Sequence, residues 1–137
     1  MIVVDTSVLA YHLLRWDPGH AAMADRVRSM DADWRVAPIW RAEFRNVLAS
    51  YMRFRSLSLA AAVAVMAEAE AQLHKGELEI RSHDVLALAA ESNQTAYDCE
   101  FVAAAASVGT VLVTGDRKLA SAFPGLAVTM EEFAGAG

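Results

Sequence analysis

The chain opens on three aliphatic residues, Ile2, Val3 and Val4, and the run stops at Asp5. A short, uninterrupted and partly β-branched apolar run is how a strand buried on both faces reads. The pattern returns at Val111, Leu112 and Val113, followed by Thr114, Gly115 and Asp116, and predicts a central strand there. Shorter runs at 34–37 and 126–128 predict two more strands, and a weak alternation over 77–80 suggests a further short one.

Between these runs the apolar positions recur at helical spacing. Residues 6–14 continue from the first strand as a helix, broken at Asp17-Pro18-Gly19. Ala21, Ala24, Val27 and Met30 share one face of a helix over 20–30. Pro38 suits the entry to a helix over 39–53, where its missing amide is not needed. Phe44, Val47, Leu48 and Tyr51 form the stripe of that helix. Ser58 is placed to cap an alanine-rich helix over 59–73, and residues 84–91 return to helix. Thr95 introduces a helix over 96–108 that Gly109 ends. A short helix over 117–123 is stopped by Pro124-Gly125, and the acidic Glu131-Glu132 segment follows the last strand. Strands alternating with helices predict an α/β layer fold around a mostly parallel sheet. Nothing in the pattern reads as a linker or a repeat, so residues 1–137 are expected to form one domain.

Composition changes this picture in three places. The formal charge of −5 counts against extended binding along a nucleic-acid backbone, which usually needs excess Lys and Arg. It leaves room for an acidic site that handles phosphodiesters through metal ions. A single cysteine, Cys99, excludes an internal disulfide and fits a reducing compartment. The apolar stretch near Val63 is interrupted by Glu68 and Glu70 and is too short to span a bilayer, and the first residues lack the basic leader of a signal peptide. A cytoplasmic protein without membrane contact is expected.

The candidate chemistry lies where the strands end. In open α/β sheets, ligands bind in the crevice beyond the carboxyl ends of the strands. If the first and the 111–113 strands are parallel and central, Asp5 and Asp116 emerge on the same edge. Glu43 and Asp98 lie early in helices that should begin there. Each acid also has a plainer reading: Asp5 and Asp116 as helix caps, Asp98 as part of a capping arrangement with Thr95, Glu43 as a surface acid between Arg41 and Arg45. Four together are harder to explain as caps alone. Carboxylates a few Å apart raise each other's pKa, and a divalent cation relieves that repulsion. An all-oxygen set suits Mg²⁺ or Mn²⁺. His12, His20, His74 and His83 show no ligand spacing, which argues against zinc. Thr6, Ser7 and Thr114 flank the strand-end aspartates and could orient them, although Ser7 reads first as a cap or turn residue. Asn46, one turn after Glu43, shares its face.

Taken in order, VVDTSVL, WRAEFRNVL, TAYDCEFVAAA and VLVTGDRKL resemble the PIN domain, and most closely its VapC-like toxins. The resemblance runs from Ile2 to about Val128 and implies a three-layer α/β/α fold with a Mg²⁺- or Mn²⁺-dependent endoribonuclease activity. It places the acidic catalytic set on Asp5, Glu43, Asp98 and Asp116, with Asp5, Asp98 and Asp116 as metal ligands. It also implies an RNA substrate, a homodimer and a small VapB-like antitoxin as partner. Glu100, two residues past Asp98, should turn away from the site. Arg41 and Arg45, flanking Glu43, are candidates for a positive rim that holds phosphates. Two other readings stay open: an aspartyl-phosphate or receiver-like domain, and a non-catalytic module that binds RNA or a peptide. The first is weakened because Ser7 stands where a phosphatase of that type needs a second aspartate.

Overall fold

Four parallel strands form one sheet in the order β2-β1-β3-β4, and the computed structural model describes residues 1–135. The strands are β1 (Ile2–Val4), β2 (Trp34–Arg35), β3 (Leu112–Thr114) and β4 (Ala127–Thr129). Successive residues of a strand point to opposite faces. Every residue of β1 and β3 is buried, so helices must cover the sheet on both sides. The register pairs Val3 with Arg35 on one side and with Leu112 on the other, and Thr114 with Thr129 beyond. The chain leaves β1 toward β2 and leaves β3 toward β4, so the strand order reverses between β1 and β3. Such a reversal opens a crevice at the carboxyl edge of the sheet.

Eight helices carry the connections among the described residues: α1 (Thr6–Leu14), α2 (Pro18–Met30), α3 (Trp40–Phe54), α4 (Leu59–Leu73), α5 (Ser82–Ser92), α6 (Ala96–Ser107), α7 (Arg117–Ala122) and α8 (Met130–Phe133). The break expected at Asp17-Pro18-Gly19 is a helix start. Asp17 caps α2 by accepting from the His20 amide, and Pro18 takes the first turn, where no amide donor is needed. The strand expected over 77–80 does not form. Val36 and Glu77 make one isolated parallel bridge, while a single 3₁₀ turn at His74–Gly76 brings the chain out of α4. The weak alternation there reflected Leu78 and Ile80 packing on the core from an irregular segment. The strand read at 34–37 is correspondingly shorter. After β4, a capping box forms, with Thr129 accepting from the Glu132 amide and Glu132 accepting from the Thr129 amide. It turns the expected acidic tail into a short helix.

The core is one cluster. Trp40 and Phe44 of α3, Phe101 of α6 and Leu112 of β3 are essentially inaccessible to solvent. Trp40 keeps its indole N–H satisfied by donating to Glu77 Oε1 at 2.9 Å, as a buried donor requires. Helices α3 and α6 are thereby anchored within their first two turns, and the first turns carry Glu43 and Asp98.

Gly76 locks the 3₁₀ turn to the sheet edge. Its carbonyl accepts from the Val36 amide at 3.0 Å, and a Cβ there would stand 2.6 Å from the Trp34 carbonyl oxygen. Gly76→Ala should therefore cost about 1–3 kcal/mol of stability, as overpacking against backbone does. In urea titration this appears as a lower midpoint with an unchanged slope; an unchanged midpoint would show that the turn is not held against β2.

Candidate functional site

Asp5 and Asp116 reach the same crevice because β1 and β3 are neighbours and parallel. Each also caps the helix that follows. Asp5 Oδ1 accepts from the Val8 amide at 3.3 Å, and Asp116 Oδ1 accepts from the amides of Lys118 at 2.9 Å and Leu119 at 3.2 Å. The capping reading and the site reading are thus two uses of one carboxylate, and in Asp116 both cap bonds fall on one oxygen. Three hydroxyls donate to the carboxylates of this crevice. Ser7 Oγ donates to Asp5 Oδ1 at 2.5 Å and itself accepts from the Gly115 amide at 2.9 Å. Thr114 Oγ1 donates to Asp5 Oδ2 and accepts from the Asp116 amide at 3.0 Å. Thr6 Oγ1 donates to Glu43 Oε1 at 2.7 Å. A Cβ on Gly115 would meet the Tyr11 ring at 2.8 Å and Ser7 Oγ at 3.0 Å, so only glycine lets the β3 end approach α1 this closely.

Glu43 comes from the first turn of α3 and Asp98 from the first turn of α6, whose amide is capped by Thr95. With Asp5, Asp116, Thr6 and Asn46 they line one pocket of about 340 Å³, to which Ala10 and Val47 add apolar surface. Residues as far apart in sequence as Asp5 and Asp116 are therefore gathered by the topology onto one cavity.

The pocket is electrostatically expensive. Burial is the main cause that pushes the Asp5 carboxyl up to about 6, against the pull of its bonds to Ser7, Thr114 and Val8, with the charge of Asp98 adding to the rise. Burial also raises Glu43, partly offset by the Thr6 hydroxyl and reinforced by Asp98 and Glu100. Asp98 is raised by burial and by Asp116, against the Thr95 hydroxyl. These carboxylates feel one another, yet among the described residues no three acidic, histidine or cysteine side chains are drawn tightly enough to form a ready-made metal cage. The donor set nonetheless fits a hard divalent cation. It is all oxygen, it is short of positive charge, and part of it is held oriented by hydroxyl donors.

Not every expected residue is here. Arg41 is turned away from the pocket, its Nε donating to Glu77 at 2.7 Å and its guanidinium pairing with Glu70, so that it ties α3 to α4 and to the turn beyond. Arg45 is exposed and does not line the pocket either. The rim those two arginines were expected to form is therefore not built by them, because residues two apart on a helix point in nearly opposite directions. Glu100, expected to turn away from the carboxylates, lines a different cavity with Ile80 and Val85. Ser7 departs from its plainer reading: its hydroxyl bridges Asp5 to the β3 end. The signal for it was the glycine after Thr114, which made the close approach feasible.

Asp5 gives a test of this electrostatic cost. Its folded-state pKa lies above the usual carboxylate value, so the native chain holds a proton that the unfolded chain has released. Stability is then complete below about pH 4 and declines as pH rises toward 6, by roughly 2–3 kcal/mol for a shift of about two units. In EDTA, Asp5→Asn should melt higher than the natural protein above pH 7, with the gap closing at pH 4. Equal melting temperatures at both pH values would mean that Asp5 is not held at that cost.

The chain matches the PIN domain over residues 2–123. Among curated proteins none matches it in sequence. Among solved structures it is similar to the crystal structure of PAE2754 from Pyrobaculum aerophilum, at 25% identity and a TM-score of 0.75, with 98% of this chain and 94% of that one covered. The sequence match extends over both strand-end aspartates, Glu43 and Asp98, and the structural likeness extends over the whole sheet: the chain belongs to the PIN domain family, whose members are typically nucleases.

Proposed function

We propose that this protein is a Mg²⁺- or Mn²⁺-dependent endoribonuclease, and that it serves as the VapC-like toxin of a toxin–antitoxin pair. One observation carries the nuclease reading: Asp5, Glu43, Asp98 and Asp116, from four separate elements, line one pocket at the point where the strand order reverses. Capping accounts for Asp5 and Asp116 singly, but not for half-buried Glu43 and Asp98 gathered beside the buried Asp5, since a buried carboxylate costs stability unless paired. The toxin role is supported by the resemblance of VVDTSVL, WRAEFRNVL and VLVTGDRKL to that branch. A homodimer is in keeping with α4, whose Leu59 and Val63 are exposed apolar residues.

Asp5, Asp98 and Asp116 would hold the cation. When bound, the cation supplies Lewis acidity toward a phosphodiester and toward water. Asp5 is oriented for this by Ser7, which donates to Oδ1, and Thr114, which donates to Oδ2. Glu43, steered by Thr6 and made more basic than an ordinary carboxylate by burial, is placed to accept a proton. Asn46, on the same helix face as Glu43, offers an amide donor to a phosphoryl oxygen. Single-stranded or looped RNA is the substrate expected, because its backbone can bend into a recessed acidic pocket.

The reading is tested by incubating single-stranded RNA with the protein in Mg²⁺ or Mn²⁺ against an EDTA control. Cleavage should require the cation and fall to background in Asp5→Asn and Asp98→Asn; cleavage that survives EDTA and both substitutions would remove the mechanism. In the same assay, Thr114→Val keeps the side-chain shape but removes the hydroxyl that links Asp5 to the Asp116 amide. Loss of such an orienting partner typically costs about 10–100-fold in activity or metal affinity. Full activity in that variant would show that Asp5 needs no such support.

A further inference from the structure

A second concavity, of about 580 Å³, opens between the end of α1, the start of α2 and the end of α3. Its walls include Tyr11, Trp16, Tyr51 and Arg55, and Ala10 lines both this cavity and the carboxylate pocket, so the two adjoin. Helix α3 makes the same connection. Glu43, Val47, Tyr51 and Arg55 follow one another at intervals of four and form one ridge. Its first two members border the carboxylate pocket and its last two border the second cavity. From Glu43 to Tyr51 the ridge runs about 12 Å at the helical rise, within reach of a nucleotide neighbouring one held at the carboxylates.

The chemistry of this wall is not that of a core. Trp16 is 49% exposed, whereas the other two tryptophans, Trp34 and Trp40, are 5% and 0% exposed. Its indole meets Tyr51 edge-on at 5.7 Å, and the Arg55 guanidinium stands 5.3 Å from the centroid of each ring. Arg15, Arg35 and Arg41 direct their charge to carboxylates. Arg55 is held on aromatic faces instead, which leaves its outer edge available to a phosphate. An exposed aromatic face beside an arginine is how proteins hold single-stranded nucleic acid: the base stacks and the cation meets the backbone. An anionic protein with an acidic active pocket needs such attraction from outside that pocket.

Building on the ribonuclease reading above, we propose that Trp16, Tyr51 and Arg55 form a stacking subsite for a nucleobase of single-stranded RNA adjacent to the phosphodiester held at the carboxylates. The subsite binds the base face and is tolerant of base identity. It adds affinity and places the strand along the α3 ridge.

The test uses the full chain in EDTA, where no cleavage complicates binding. An oligoadenylate is compared with an abasic ribose-phosphate oligomer of the same length. Oligoadenylate should quench tryptophan emission saturably, the abasic oligomer should not, and Trp16→Ala should abolish the quenching while Trp34 and Trp40 still emit. By anisotropy of labelled oligoadenylate, Trp16→Ala should raise Kd about tenfold, as loss of one stacked base does, and Trp16→Phe should restore most of that loss. Unchanged affinity in Trp16→Ala, or equal binding of the abasic oligomer, would overturn the subsite. So would an absence of response to RNA with Trp16 instead shielded from iodide as protein concentration rises, which would mark this face as a contact between copies. The two readings fail separately. Metal-dependent cleavage with no role for Trp16 removes the subsite alone. Stacking at Trp16 without cleavage in any divalent metal removes the nuclease reading and leaves the protein a binder of single strands.

Discussion

The structure turns on a carboxylate placed where it is least comfortable. Asp5 ends β1 in the interior of the molecule, 7% exposed, and three donors converge on its two oxygens. Those bonds do not cancel the desolvation, and the carboxyl stays well above its ordinary pKa. Further acids are then brought into the same cavity by β3, α3 and α6. A fold selected for stability alone would place an apolar residue at the end of β1. The arrangement instead gathers negative charge at one crevice, at a cost in stability that falls mainly on Asp5.

The architecture follows from keeping that crevice open. Parallel strands must be joined by crossovers, and a reversal of strand order between β1 and β3 leaves their carboxyl ends uncovered. The first turns of α3 and α6 face the same edge. Each is anchored from below by large buried side chains, Trp40 and Phe44 on one and Phe101 on the other. Gly115 lets the β3 end close onto α1, so that one serine hydroxyl can serve both. Arg15, Arg35 and Arg41 are paired with carboxylates away from the crevice, Arg15 with Asp25, Arg35 with Asp33 and Arg41 with Glu70 and Glu77. Such exposed pairs contribute little to stability. Arg55 instead lies against two aromatic rings at once, those of Trp16 and Tyr51.

Much of this was legible in the chain, for physical reasons that can be named. Buried parallel strands must be continuously apolar, so IVV and VLV announced β1 and β3, and the aspartates after them announced the site edge. Helix α3 was visible in its stripe and α4 in its serine cap. What stayed hidden depends on three dimensions. Nothing local reveals that 77–80 fails to pair beyond one bridge, because that is decided by the turn at Gly76. The direction of Arg41 is set by Glu70 and Glu77, from other elements, and proximity to Glu43 in sequence suggested the wrong neighbour. The hydroxyl of Ser7 acquires its partners only when β3 arrives. Trp16 passed unnoticed because an exposed tryptophan and a buried one look alike in sequence.

The central claim is that Asp5, Asp98 and Asp116, with Glu43 beside them in one pocket, form one cation site. Calorimetric titration with Mn²⁺ addresses it directly, since it asks for binding without asking for catalysis. The natural protein is predicted to show saturable binding that weakens at least about tenfold in Asp98→Asn, the acid whose charge reaches Asp5 and Glu43 and which itself feels Asp116. Absence of saturable binding, or binding indifferent to that substitution, would contradict the account.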